Sequence, residues 1–315
     1  MARSGILILT NCTNRKREIP KNKLRARTLK RGEVRATSGE WVARLKAAPK
    51  MHIAKYLYCG RAVTETLEAA NTLGANTAFI SAGLGVVTEN QRVPSYSLTA
   101  SPGYPDSVSR RVLGVYDPTE WWRALSQAQS SDLTLKKLLS PPSVKLVLVA
   151  MPTSYMSMIV DELSGLSPRV RAKLRVIGPR RREDLPIELR PQWLPYNSRL
   201  DSPKSGMNGT ASDFPHRALR HFALRVLSRN LTGSAAAHAK DVDTSLCRLK
   251  PYVRPRGRNA TDAEVLRAIK GMWARLDGRR NLMLRELRDK LGLACEQKRF
   301  QLLANEFGES FLGSK

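Results

Sequence analysis

The run Val144-Lys-Leu-Val-Leu-Val-Ala150 constrains this chain more than any other stretch. It is nearly continuous in aliphatic and β-branched residues. A strand with one wet face alternates, whereas an unbroken apolar run belongs to a strand covered on both faces. Gly5-Ile-Leu-Ile-Leu-Thr10 reads the same way, and Asn76–Ser81 supplies a further strand. Lys173–Ile177 and Gln192–Leu194 are candidates for later strands. Between them lie helical patterns: Arg61–Leu73, with Val63, Leu67 and Ala70 on one face, Asp106–Val115, Pro118–Leu125, Leu133–Leu139, Thr153–Leu163 and Asp213–Ser228. Strands alternating with helices predict an α/β fold, a mostly parallel sheet flanked by helices.

Charge limits the partners. Among 315 residues, 54 Lys and Arg face 27 Asp and Glu, a net charge of +27. Solubility needs far less. A folded protein with such a field attracts polyanions, and nucleic acid is the expected partner. Residues 15–55 are the most basic and read as an insertion or arm over the sheet. Four cysteines (Cys12, Cys59, Cys247, Cys295) and four histidines show no metal-ligand spacing and no disulfide framework, so neither metal nor cofactor is expected. No apolar run reaches membrane-spanning length and the start lacks a signal-peptide core, which predicts a cytoplasmic protein with no membrane partner.

In open parallel sheets, sites form outside the carboxyl ends of the strands. Three segments fall there: Thr10-Asn-Cys-Thr-Asn-Arg-Lys16, Ser81-Ala-Gly-Leu-Gly85 and Met151-Pro-Thr-Ser-Tyr155. Asn11, Cys12, Ser81, Tyr96 and Tyr155 are candidates for contact with a base or sugar, and Gly83 and Gly85 for giving it room. Arg15, Lys16 and Arg61 are candidates for holding phosphate. The Walker lysine and the dinucleotide glycine pattern are absent. Glu89 is the carboxylate of this region that acid-base work would use. Asp213 is the second, in the polar stretch 196–220, where Asn208-Gly-Thr210, His216, Arg217 and Arg220 meet at a loop-to-helix junction. Arg217 and Arg220 are further phosphate candidates.

Residues 1–230 are thus assigned to the α/β domain and 231–260 to a linker. Residues 261–315 form a helical unit that binds nucleic acid or caps the main domain. Thr261-Asp-Ala-Glu264 has the form of a capping box that starts a helix. Helices at 284–291 and 296–307 follow, with Gly292 in the turn, a helix-turn-helix or winged-helix-like pattern. The third helix carries Lys298 and Arg299.

A polar-Cys-polar turn with basic residues, Tyr58-Cys-Gly-Arg61 at a helix start, Phe79-Ile-Ser-Ala-Gly-Leu-Gly85 and Val93-Pro-Ser-Tyr96 occur in that order. This arrangement, over about residues 5–100 and more faintly 144–165, resembles the YaaA-like group and is similar to parts of base-exchange enzymes. It departs from the group in having Gly83 where relatives carry lysine, and Ser97 where an acid often follows. A further resemblance is to anti-phage DNA glycosylases that excise modified cytosine. It implies base flipping and hydrolysis of an N-glycosidic bond. Glu89 is then the first candidate to stabilise the sugar cation, and Asp213 the second. A tRNA or DNA base-exchange enzyme and a non-enzymatic DNA-binding protein remain alternatives. No metal-nuclease pattern is seen.

Overall fold

The computed structural model describes residues 4–130, 132–252 and 257–313. The chain forms two compact units, Met1–Tyr252 and Val253–Lys315.

In the first unit β1 (Ile6–Asn11) leads through the basic segment to α1 (Val34–Lys46). β2 (His52–Ile53), α2 (Ala54–Leu57), α3 (Arg61–Leu73) and β3 (Asn76–Ser81) follow. Then come β4 (Gly85–Thr88), β5 (Arg92–Val93), α4 (Pro118–Gln129), α5 (Leu135–Leu139) and β6 (Leu146–Ala150). The unit is completed by α6 (Thr153–Ser164), α7 (Pro168–Arg171), β7 (Leu174–Ile177), α8 (Phe214–His221) and α9 (Ala235–Leu246).

Five strands make the central sheet in the order β4-β3-β1-β6-β7; β3, β1, β6 and β7 are parallel, and β4 runs antiparallel at one edge. β2 pairs only with β5. The mostly parallel α/β expectation is met. Its physical reason is visible in β1, where Leu7 and Leu9 enter one core while Ile6 and Ile8 enter the other. The first core takes Trp41 of α1, Trp121 and Trp122 of α4 and Met156 of α6; the second takes Ala69 of α3, Leu219 of α8 and Val242 of α9. α4 is started by Asp117, whose carboxylate accepts from Thr119 N at 2.8 Å, with Pro118 in the first turn.

Several expectations are corrected. The basic segment carries a packed helix that was not expected within it: in α1 Trp41 is fully buried, and its indole Nε1 donates to Gly83 O at 2.8 Å. The stretch assigned to a linker contains α9, capped by Ser234, with His238, Val242 and Leu246 buried in the first unit. The boundary therefore falls at Tyr252, later than 230. Residues 106–115 yield only a short 3₁₀ turn at Val108–Arg110. Gln192–Leu194 gives one bridge, Val176 to Trp193. The helix expected to run to Ser228 changes at His221 into a π-helical segment, Phe222–Leu227.

The second unit contains β8 (Arg258–Asn259), α10 (Asp262–Trp273), α11 (Arg280–Asp289), β9 (Leu293–Ala294) and α12 (Gln297–Gly313). The capping box at Thr261 and Glu264 is formed. Val265, Ile269, Met283, Leu287 and Phe300 make its core, and β8 pairs with β9 in parallel.

Candidate functional site

β1 and β6 are neighbours, yet the chain leaves β1 towards β3 and leaves β6 towards β7. The connections diverge between them, which is where open parallel sheets place their ligands. The side chains at these ends are polar and buried. Thr10 Oγ1 donates to Ala150 O at 3.0 Å and ties the two strands together. Asn11 Nδ2 donates to Cys12 O at 2.7 Å, so its Oδ1 faces His216 Nε2, 3.0 Å away on α8, and that nitrogen carries the proton. Burial pulls His216 down to about 4, against the opposing pull of Asp213, so its imidazole is neutral at ordinary pH. Cys12 Sγ lies 3.6 Å from Tyr155 Oη, which also meets Thr99 Oγ1 at 3.2 Å.

Beside this lies a second network. Ser81 Oγ accepts from the Gly83 and Leu84 amides at 3.2 and 2.9 Å, and is 2.5 Å from Tyr96 Oη. Tyr96 Oη in turn is 3.0 Å from Tyr58 Oη. Burial pushes the phenols of Tyr58, Tyr96 and Tyr155 well above the usual tyrosine range, so all three stay protonated. Over the Tyr96 ring sits Lys16, its Nζ 4.0 Å from the centroid and 5.7 Å from that of Tyr58. Lys16 Nζ donates to Thr13 O at 3.0 Å. Among the described residues it has no ion pair. Burial pulls it down to about 8, with Cys12, Cys59 and Asp106 acting the other way. The backbone holds it in place: Lys16 bridges to Tyr58, and Cys59 N donates to Arg15 O at 3.2 Å.

The structure thus brings Asn11, Cys12, Lys16, Ser81, Tyr96 and Tyr155 together, and it separates Glu89 from them. The β3–β4 hairpin reverses the chain, so Glu89 returns to the start of β3: its Oε2 accepts from Thr77 N at 2.9 Å, and Glu89 N donates to Thr77 O at 3.0 Å. Thr77 and Ser81 are four residue steps apart, roughly 13 Å of strand. Glu89 lines a cavity of about 510 Å³ at that opposite end, with Ile6, Thr77, Leu138 and Val144.

Asp213 is buried but saturated. It accepts from Thr210 N at 2.9 Å, Thr210 Oγ1 at 2.8 Å and Arg217 Nε at 2.6 Å. Arg217, a phosphate candidate by sequence, is fully buried with its donors turned inward: it also donates to Asp201 at 2.8 Å, to Thr210 O at 2.8 Å and to Met207 O. Arg220 is held by Glu65 at 3.1 Å and Glu68 at 2.8 Å. Arg61 is half-exposed, pairs with Glu65 at 3.1 Å and donates to Asn208 O. Arg15 is exposed and has no ion pair among the described residues. In the second unit Arg299 pairs with Asp262 at 2.5 Å, and the Lys298 side chain lies outside the described residues.

The two glycines make room for this chain's own side chains. A Cβ on Gly83 would stand 2.8 Å from the Tyr96 ring, and one on Gly85, where φ is +70°, would stand 2.8 Å from Gln129 Oε1. Tyr96, fully buried, is packed and not open to stacking. Sequence reasoning named Tyr58 in a motif but gave it no contact, and it missed Asp106, which accepts from Ser97 Oγ at 2.8 Å and from Arg27 Nη2 at 3.1 Å. Asp106 thus stands behind Ser97 where a sequential acid is absent. A polar residue after Tyr96 was the available signal, but a partner nine positions on leaves no pattern.

Among the described residues no group of His, Cys, Asp and Glu is arranged to hold a metal, and no helix is long and apolar enough to cross a membrane. No protein-family model, curated protein or solved structure matches the chain.

Proposed function

We propose that the first unit breaks an N-glycosidic bond in nucleic acid, on a modified base turned out of a duplex, and that Lys16 is its nucleophile. The observation that carries this reading is Lys16 itself. It is an amine with no carboxylate partner among the described residues, half-buried on the face of Tyr96 beside the divergence of β1 and β6, and burial brings it to about 8. A desolvated lysine is a standard nucleophile towards electrophilic carbon. Glu89 stands at the other end of β3, and Asp213 already spends its oxygens on Thr210 and Arg217. Neither carboxylate is therefore assigned to a sugar held beside Lys16.

The neutral Lys16 amine would add its lone pair to the sugar C1′. The bond from C1′ to the base nitrogen breaks, and the base leaves with that electron pair and takes up a proton. The aminoglycoside opens to an iminium at C1′, and water hydrolyses it to an abasic aldehyde and free Lys16. The chain's charge of +27 supports a polyanionic substrate. The motif order around Cys12, Tyr58, Ser81 and Tyr96 supports a base-processing role. Cytosine-modified phage-type DNA is the first substrate to try. The helical unit, with exposed Arg267, Lys270, Arg279 and Arg280, fits a duplex-gripping role of helix-turn-helix type.

The test is incubation with duplexes carrying modified or unmodified cytosine, with and without borohydride. Base release, an abasic site and a borohydride-trapped protein–DNA adduct are expected. Lys16→Ala should lose at least about 100-fold in rate and all trapping. Below pH 8 the rate should climb about tenfold per pH unit, because only the deprotonated amine attacks. Release without trapping, undiminished in Lys16→Ala, removes the lysine role. The absence of release from every modified DNA removes the glycosylase reading. A second reading, a DNA-binding protein without catalysis, is favoured by the closure of the cluster, in which Tyr58 and Tyr96 are fully buried. It requires that Lys16→Ala leave every measurable activity intact.

A further inference from the structure

Immediately after Lys16 the chain makes an unusual loop, Arg17-Glu-Ile-Pro-Lys21. Ile19 is 83% exposed. A single exposed aliphatic residue is ordinary on a mobile surface, but this one stands on a fixed backbone. Arg17 N donates to Leu57 O at 3.0 Å, Ser95 Oγ donates to Glu18 O at 2.7 Å, and Arg25 Nε donates to Pro20 O at 3.3 Å. The residues on both sides of Ile19 are therefore tied to other parts of the unit while its side chain is held out in water. Ile19 is itself stiff at χ1, and the ring of Pro20 restricts the backbone beside it.

The surroundings say what such a knob meets. Arg15, Arg17, Lys21 and Lys23 are all exposed, with Glu18 the one acid between residues 15 and 23. Cations on both sides of a rigid apolar side chain match the chemistry of a duplex, phosphates outside and a base stack within. Ile19 is three residue steps from Lys16, so their Cα atoms lie within about 11 Å of each other. That bound keeps Ile19 close enough for its side chain to fill the gap that a nucleotide would leave if its sugar went to Lys16.

We propose that Ile19, backed by Pro20, is a wedge that enters the base stack of a duplex and holds one nucleotide out of it. The inference rests on the reading of the strand-end site as one that takes an extruded nucleotide.

The test uses the full chain and a duplex carrying 2-aminopurine beside a modified cytosine, whose fluorescence rises when stacking is broken. The wild-type protein should raise it severalfold. Ile19→Ser should cut that rise at least fivefold while duplex affinity at low salt changes less than about threefold, since the flanking cations remain. Ile19→Leu should restore the signal. In base release, the duplex-to-single-strand rate ratio should fall about tenfold in Ile19→Ser. An equal fluorescence rise in wild type and Ile19→Ser, or no rise with wild type, overturns the wedge. Failure of the glycosylase reading is seen separately, as no base release from single strands, and the fluorescence result then still judges Ile19.

Discussion

Arg217, fully buried, and Lys16, half-buried, are two cations in opposite surroundings. Arg217 is surrounded by Asp201, Asp213 and two backbone carbonyls, so four of the five N–H donors of its guanidinium are spent and it fixes the 201–213 loop onto α8. Lys16 has one carbonyl and an aromatic face, and that shortfall is what the proposed nucleophile role draws on. The histidines of α8 carry a further consequence of burial. Desolvation pulls His216 and His221 each to about 4, from an ordinary value near 6.5. Their folded pKa values are depressed, so the unfolded chain binds more protons between those values. The stability they contribute is complete above about 6.5 and is lost as pH falls towards 4. For His216 alone the full loss is on the order of 3 kcal/mol. Urea unfolding followed by tryptophan fluorescence at pH 7.5, 5.5 and 4.5 should show a falling midpoint, with a shallower fall in His216→Gln. A midpoint indifferent to pH over this range would contradict the buried neutral imidazoles.

At the scale of elements, glycines of opposite character test the packing around β3. Gly83 follows β3 where a Cβ would meet the Tyr96 ring at 2.8 and 3.0 Å and Trp41 at 3.3 Å. Tyr96 cannot swing away, because Ser81 and Tyr58 hold its hydroxyl. Gly83→Ala should cost about 2 kcal/mol, a drop of ~5 °C in Tm. Gly39 sits in α1 with nothing within 4 Å of an added Cβ, and Gly39→Ala should raise stability by about 0.5–1 kcal/mol through helix propensity. Calorimetry on the pair reads both signs; a tolerated Gly83→Ala would mean the Tyr96 network is loosely held.

The strands β1, β3 and β6 were legible because burial on two faces leaves an apolar run that polar neighbours cannot hide. α1 was not, since Arg35, Glu40, Arg44 and Lys46 dilute the face made by Trp41, Val42 and Leu45. α9 passed for a linker because its alanines carry little period, although Val242 and Leu246 are buried. That the strand-end side chains come together was legible from strand order. The place of Glu89 was not, because a short turn at Ala82–Leu84 reverses the chain and nothing in the residues after it announces the reversal.

For the whole molecule, the charge is the property most directly open to measurement. Many of the cations are internally neutralised: Arg27 by Asp106, Arg199 by Asp243, Arg258 by Glu264 and Arg275 by Glu286. The excess of +27 is what remains after every acid is counted against a base. Within the first unit it includes exposed Arg15, Arg17, Lys21, Lys23, Lys30 and Arg31. Each cation that meets a phosphate releases about one condensed counterion, so binding should fall linearly in log-log form with salt. Contact with about six phosphates predicts an affinity loss on the order of 1,000-fold between 50 and 200 mM NaCl. Fluorescence anisotropy with a labelled 20-base-pair duplex measures this directly. Paired replacement of Lys21 and Lys23 by Gln should lower the slope by up to about two counterions without changing sequence preference, because phosphate contacts position a protein and carry no base information. A slope near zero would mean the basic surface serves some partner other than a polyphosphate backbone, and the reading of the strand ends as a nucleotide site would lose its delivery route.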